Sequence, residues 1–262
     1  MDLNDISNQV ATIARKTGEY IKAEAKGITL KRADYKGIND LVTYVDKESE
    51  RRIVEELSQI LPEADILAEE GNYLSKNSRF KWIIDPLDGT TNFVHGIPAY
   101  SISIALVEND IPIVAVVQDV DREECFKAYS GGGSYLNNNK IEVSKSQNLS
   151  DCLMATGFPV TVFDKSSLLL QITESFIRET HGVRRIGSAA LDLAYVSCGR
   201  FEGFFEYNLN AWDVAAGALL VKEAGGIVSD FKGKNNYLFG KEILAANALH
   251  PKMLELISRD WE

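Results

Sequence analysis

The chain has 262 residues, 45% hydrophobic and 25% charged, which places it among ordinary globular proteins long enough to bury a substantial core. Its net charge of −10, from 28 basic and 38 acidic residues, gives up the phosphate neutralisation that drives nonspecific nucleic-acid binding. No apolar run reaches bilayer-spanning length, the N-terminus Met1-Asp2-Leu3-Asn4-Asp5 lacks the basic and apolar regions of a signal peptide, and Cys125, Cys152 and Cys198 have no CxxC spacing, so a reducing cytoplasm is expected rather than a membrane or a disulfide framework.

Apolar positions at Leu3, Ile6, Val10, Ile13, Ala14 and Ile21 recur at helical spacing and predict a helix over 3–26, ended by Gly27. A second helix is expected from Asp46 to residue 60, with Ile53, Val54, Leu57 and Ile60 on one face and Pro62 closing it. Short strands follow at 65–68, 80–84, 100–108, 111–119 and 124–130, with Asn109-Asp110 as the hairpin turn between the third and fourth. Gly131-Gly132-Gly133 and Asn137-Asn138-Asn139 read as turns around a short strand at 134–136. The triple glycine precedes a strand and lacks a following Gly-Lys-Ser/Thr, so it reads as a turn and not as a phosphate loop.

The second half alternates differently. Strands are expected at 153–156, 183–186, 203–207 and 243–247, and helices at 166–179, 188–198, 211–224 and 251–258, with Gly225-Gly226 ending the third of these. Strands gathered in the middle with helices on both flanks favour a layered α+β fold over a strict βαβ repeat. With no repeat, linker or low-complexity segment, residues 1–262 are read as a single domain.

The segment Asp85-Pro86-Leu87-Asp88-Gly89-Thr90-Thr91-Asn92 carries the clearest chemistry. It follows the apolar run Phe80-Lys81-Trp82-Ile83-Ile84, and its two carboxylates are separated by a proline that stiffens the backbone. Gly89 permits a tight turn, and Thr90, Thr91 and Asn92 supply hydroxyls and helix-start chemistry. Such a strand end suits a divalent metal on one side and phosphate on the other. Three further acidic spots stand at element ends: Glu69-Glu70 after the strand at 65–68, Asp46 at a helix start, and Asp213 in a first helical turn after Asn210. Hard cations need several oxygen ligands, and a pair of cations needs bridging carboxylates. Taken singly, Asp46 and Asp213 are also plain helix caps, and Glu69-Glu70 a solvated loop pair.

These residues carry a family resemblance. Through Trp82-Ile83-Ile84-Asp85-Pro86-Leu87-Asp88-Gly89-Thr90-Thr91-Asn92-Phe93 and Ala211-Trp212-Asp213-Val214-Ala215-Ala216-Gly217, the chain resembles the inositol monophosphatase family of lithium-sensitive, magnesium-dependent phosphatases. Glu69-Glu70 and Gly187-Ser188-Ala189-Ala190-Leu191-Asp192-Leu193-Ala194 support it, and order and spacing agree from about residue 5 to the C-terminus. The resemblance implies an α+β fold, a layered αβαβα sandwich of the inositol monophosphatase and fructose-1,6-bisphosphatase type. It implies Mg²⁺ as cofactor, with Glu69, Asp85 and the Leu87 carbonyl on one ion, Asp85 bridging to a second held by Asp88 and Asp213, and Glu69 supporting a third, weaker one. Thr90 and Asp46 match the pair that activates the attacking water, and the Gly89 and Thr90 amides would receive phosphate oxygens. Ala189, Glu206 and Asp213, with Asp88, match substrate contacts. The family often has Gly before its Glu pair where this chain has Ala68, and residues 156–165 vary among relatives of different specificity.

The expected reaction is hydrolysis of a small polyol phosphate, inositol 1-phosphate first, by a metal-activated water, in a homodimer without membrane or nucleic-acid partners. Within the same fold, fructose 1,6-bisphosphate, histidinol phosphate and 3′-phosphoadenosine phosphate are alternatives; Glu206 favours a compact hydroxyl-rich alcohol. His95, His181 and His250 occur singly and no cysteine sits in an anion-binding loop, which leaves phosphoenzyme chemistry without a nucleophile motif. A second class of function is a regulatory protein that contacts RNA polymerase or another macromolecule, with Arg184-Arg185 as a basic contact; the plainer reading of that pair is a strand edge facing acids in a dimer.

Overall fold

The computed structural model describes residues 1–26, 33–37, 40–71, 73, 75–159 and 163–261. Helix α1 (Leu3–Ala25) begins where the Asp2 carboxylate accepts the N–H groups of Asn4 and Asp5, at 3.0 and 3.1 Å. Its stripe of Ile6, Val10, Ile13, Ala14 and Ile21 is buried, as the spacing predicts. A hairpin, β1 (Ala33–Gly37) and β2 (Asp40–Thr43), leads into α2 (Tyr44–Ile60), which starts two residues before the expected Asp46 because Thr43 caps it. Gly27, expected to end the first helix, lies outside the described residues.

A seven-stranded sheet occupies the first half, in the order β3-β4-β5-β6-β7-β8-β9. Its strands are β3 (Asp65–Ala68), β4 (Phe80–Asp88), β5 (Ser101–Glu108), β6 (Ile111–Asp119), β7 (Glu124–Tyr129), β8 (Gly133–Leu136) and β9 (Asn139–Ile141). Short helix α3 (Thr90–Val94) follows β4 directly. All the pairings are antiparallel except β3 with β4, which puts the ends of those two strands side by side. β4 runs past Ile84 through Pro86 to Asp88, longer than the sequence predicts. The proline is accommodated because pairing with β5 is irregular between Asp85 and Asp88.

The second sheet has five strands, ordered β11-β10-β12-β14-β13. They are β10 (Leu153–Thr156), β11 (Gly182–Arg184), β12 (Gly203–Tyr207), β13 (Ile227–Ser229) and β14 (Glu242–Ala246). Between them run α4 (Ser166–Glu179), α5 (Ala189–Ser197) and α6 (Ala211–Glu223), and α7 (His250–Asp260) closes the described chain. Strands are therefore not concentrated in the middle of the chain; each half builds its own sheet.

The layers follow from where the apolar surface lies. Helices α1 and α2 cover one face of the large sheet, and α5 and α6 fill the space between the two sheets. Helices α4 and α7 pack on the outer side of the small sheet, completing an αβαβα sandwich. The middle helices are apolar all round, because they face sheets on both sides: every residue of α5 is buried, including Asp192. At the α5–α6 contact a Cβ on Gly217 would stand 2.4 Å from Leu193 Cβ, so that glycine sets the closeness of the two helices. Among the described residues no helix is long and apolar enough to cross a membrane.

Candidate active site

The acids singled out in the sequence meet at the ends of three elements, with Asp46 of α2 tied to Thr90 beside them. Asp85 and Asp88 are delivered by the last turn-ward residues of β4, Asp213 by the first turn of α6, and Glu69 by the chain leaving β3. One oxygen from each of Asp85, Asp88 and Asp213 lies within 4.8 Å of the others. Glu69, Asp88 and Asp213 line a cavity of about 450 Å³, with Asp85 buried beneath it.

Each carboxylate is held by donors from its own neighbourhood. The Leu87 N–H donates to Asp85 Oδ1 at 2.9 Å, across the proline. Asp88 Oδ2 accepts the Ser188 hydroxyl at 2.6 Å and the Ala190 N–H at 2.7 Å, which ties the end of β4 to the start of α5. Asp213 accepts the Asn210 N–H at 2.6 Å and Asp46 accepts the Thr43 N–H at 2.8 Å. Asp46 and Asp213 are both third-position acids of capping boxes. Capping and a place at the site are thus one arrangement: the helix starts fix Asp213 in the cavity lining and Asp46 against the Thr90 hydroxyl.

The charges explain what this cluster requires. Burial raises Asp85 well above the ordinary carboxylate range, and the charges of Glu69, Asp88 and Asp213 push it further. Asp213 is raised by burial and by Asp88, while Asp88 is pushed up to about 6 by burial against the pull of Ser188 and Ala190. Converging buried carboxylates repel one another without a cation, and an all-oxygen donor set suits Mg²⁺. The cavity lining contains neither histidine nor cysteine among the described residues, so the softer donors that favour zinc are missing from the lining.

Beside this cluster the Thr90 hydroxyl lies 2.9 Å from Asp46 Oδ1 and 3.1 Å from the Leu87 carbonyl. One hydroxyl proton serves either acceptor, and the oxygen keeps lone pairs to accept from a water. Burial raises Asp46, opposing the hydroxyl and amide donors around it, which makes it a stronger proton acceptor than a solvated carboxylate. Gly89 turns the chain at φ 99°, and a Cβ there would stand 3.0 Å from the Ala99 carbonyl, so both conformation and space call for glycine.

The far wall comes from α5, β12 and the chain after β10. Ala189, Asp192 and Glu206 line it with Arg185 and Phe158. Glu206 accepts no hydrogen bond among the described residues, and burial pushes its carboxyl up to about 8. Asp192 is 1% exposed, its Oδ1 has no partner, and burial raises it well above the usual range. Asp192 was present in the sequence motif without a role, since nothing in a helical repeat shows that its neighbours across the fold are acids. Of the Arg184-Arg185 pair, Arg184 ends the edge strand β11, while Arg185 lines the cavity of its own chain near Asp88 and Glu206. Within 156–165, residues 160–162 lie outside the described ones. His95 caps the end of α3 and is exposed, away from the cavity lining. Cys125 and Cys152 are buried and Cys198 half-buried; burial raises all three thiols, as expected of unreactive cysteines.

Comparison with known proteins agrees with this architecture. The inositol monophosphatase family matches residues 2–262. Nus factor SuhB of Salmonella typhimurium is 42% identical over 248 residues, covering 94% of this chain and 93% of that one. The crystal structure of extragenic suppressor protein suhB from Bartonella henselae superposes with a TM-score of 0.91 at 36% identity, covering 97% and 99% of the two chains. An IMPase of Thermotoga maritima gives a TM-score of 0.88 at 36% identity, over 99% and 98%. By its motifs, its layers and these relatives, the chain belongs to the inositol monophosphatase family.

Proposed function

We propose that the chain is a Mg²⁺-dependent phosphatase of small polyol phosphate monoesters, with inositol 1-phosphate as the leading substrate. The observation that carries this reading is the meeting of Asp85, Asp88 and Asp213 oxygens within 4.8 Å beside a Thr90–Asp46 hydrogen bond of 2.9 Å. Glu69, Asp85 and the Leu87 carbonyl would hold one Mg²⁺, and Asp85, Asp88 and Asp213 would hold a second, with Glu69 available to a third. Bound there, the cations supply the positive charge that lowers the pKa of a water and stabilises the departing alkoxide.

The protein's own groups do the rest. Thr90 Oγ accepts a proton from the attacking water and passes its own to Asp46 Oδ1. The amides of Gly89 and Thr90 orient the phosphate, and rigid positioning matters because phosphoryl transfer leaves little covalent work for the protein. Ala189, Glu206 and Asp213 receive the alcohol, with Asp88 at the boundary between phosphate and alcohol. Glu206 beside Arg185 suits a hydroxyl-rich ring: it donates a hydrogen bond when protonated and accepts one when charged, the state in which it also repels a second phosphate. The Thermotoga relative, an IMPase by name, supports the phosphatase reading.

The name Nus factor, carried by the Salmonella relative, supports a second reading in which the chain also serves as a macromolecule-binding regulatory protein. We place either activity in the cytoplasm, in a homodimer of single-domain chains. The test is a phosphate-release panel with Mg²⁺ covering inositol 1-phosphate, fructose 1,6-bisphosphate, histidinol phosphate and 3′-phosphoadenosine phosphate. Inositol 1-phosphate is expected to be turned over best, and Asp88→Asn to abolish turnover. Preference for another ester moves the substrate assignment, and failure on all four with capture of a transcription component favours the second reading.

A further inference from the structure

Helix α2 reaches the site twice, one turn apart. Its Asp46 takes Thr90; Glu50, on the same side and 3% exposed, takes the chain that leaves β3. Glu50 Oε2 accepts the Glu70 N–H at 2.8 Å, and Oε1 accepts the Tyr73 hydroxyl at 2.9 Å. The two donors flank Gly71, and the fit is close: a Cβ on Gly71 would stand 2.6 Å from Glu50 Oε1 and 2.7 Å from the Tyr73 ring. Glu70 and Tyr73 thus share one carboxylate as their acceptor.

The place of this segment gives the contact its meaning. β3 is the edge strand of the large sheet, so the chain leaving it has a sheet neighbour on one side only. That neighbour fixes Glu69 through its N–H to the Ile84 carbonyl at 3.2 Å. The next N–H, that of Glu70, is the one Glu50 binds. Glu69 thus stands between an anchor on β4 and an anchor on α2, with its carboxylate at the cavity. Groups that hold a metal ligand's backbone or its free atoms set how well that ligand is preorganised, and removing them weakens metal binding without touching the ligand.

We propose that Glu50 is a positioning residue for the cation site, a carboxylate that binds no metal and instead holds the Glu70 N–H and the Tyr73 hydroxyl so that Glu69 faces Asp85, Asp88 and Asp213. The inference rests on the reading of Glu69 as a cation ligand. It differs from a purely structural role, which would spread across the fold; here the effect is confined to the affinity of one site. Glutamine is a conservative replacement, because its amide oxygen accepts the Glu70 N–H while its NH₂ donates to the Tyr73 oxygen.

The experiment is calorimetric titration of the full chain with MgCl₂, with thermal unfolding of the metal-free protein alongside. Glu50→Ala is expected to weaken Mg²⁺ binding about tenfold per mole of folded protein, with Glu50→Gln within about twofold of the parent. Equal affinity of Glu50→Ala and the parent overturns the proposal. Equal weakening in Glu50→Ala and Glu50→Gln also overturns it, because the effect then follows charge and not hydrogen bonding. Should Glu50→Ala not fold, Tyr73→Phe decides: about two- to threefold weaker binding supports the proposal, and unchanged binding overturns it. A parent protein that takes up no Mg²⁺ sinks the phosphatase reading itself, an outcome distinct from a parent that binds and variants that match it.

Discussion

On the wall formed by β4 and the starts of α2 and α6, carboxylates are anchored by nearby donors: Leu87 for Asp85, Ser188 and Ala190 for Asp88, Thr43 for Asp46, Asn210 for Asp213. On the wall formed by α5 and β12, Glu206 and Asp192 are buried too, yet the Glu206 carboxylate accepts no hydrogen bond among the described residues and Asp192 Oδ1 has no partner. The first wall is fixed by the protein before anything binds, as a site for a small hard cation and a phosphate demands. The second keeps acceptors in reserve, a state that burial makes costly and that a hydroxyl-bearing ligand would relieve. Rigidity and unused hydrogen-bonding capacity are therefore divided between the wall proposed to react and the wall proposed to select.

The largest effect that sharpens this contrast comes from the rigid wall. Asp85→Asn keeps the acceptor for the Leu87 N–H but removes the charge at the centre of the cluster; kcat/KM for phosphate release should fall by at least about a hundredfold. The same change relieves repulsion among the acids, so the metal-free variant should unfold at a higher temperature than its parent. A variant that is less active and also less stable would mean that the cluster is held together by Asp85 and not strained by it.

Thr90 should come next. Thr90→Val keeps the shape of the side chain and removes the hydroxyl that bonds Asp46 Oδ1, so kcat is expected to fall about a hundredfold with little change in KM, measured by initial rates. Thr90→Ser should restore most of it. If the valine variant matches the parent, the Thr90–Asp46 bond is a structural tie.

The selecting wall predicts smaller numbers and a pH signature. Glu206→Gln should raise KM for inositol 1-phosphate about three- to tenfold and leave kcat nearly unchanged. Glu206 sits at about 8 in the folded protein against an ordinary 4.5, so between those pH values the folded state holds a proton that the unfolded state releases. Stability of the metal-free parent should accordingly decline as pH rises through that window and level off above it. The Glu206→Gln variant should show a shallower decline, keeping only the part due to Asp85, Asp88, Asp192 and Asp213, and exceed its parent at pH above about 8, with the two converging in acid. Identical pH profiles would place Glu206 in a more solvated setting than its burial indicates.

The extent to which the sequence announces this site follows from how local each signal is. Asp85, Asp88, Gly89 and Thr90 stand in one strand-to-helix passage, where strand periodicity, a stiffening proline and turn chemistry agree. Asp46 and Asp213 carry the capping signature in the sequence, although a cap is the same string of residues whether or not it faces a cavity. Only the crossing of α2 and α6 over the end of β4 tells the two apart. Glu50 and Arg185 were beyond reach for the same reason: a buried glutamate on a helix face and an arginine after an edge strand acquire their roles from partners distant in the chain. The strands β1, β2, β9 and β13 lack the apolar run that marks the equally short strands expected elsewhere, or sit beside Gly-rich and Asn-rich turn residues that mask it; Asn139, the first residue of β9, reads as turn.

The central claim is that Asp85, Asp88 and Asp213, with Glu69, form a divalent-cation site. Anomalous scattering from crystals grown with Mn²⁺ in place of Mg²⁺ tests it most directly. The account predicts peaks at oxygen-ligand distance from Asp85, Asp88 and Asp213, lost in Asp85→Asn; peaks confined to other surface acids, or none in the cavity, would contradict it.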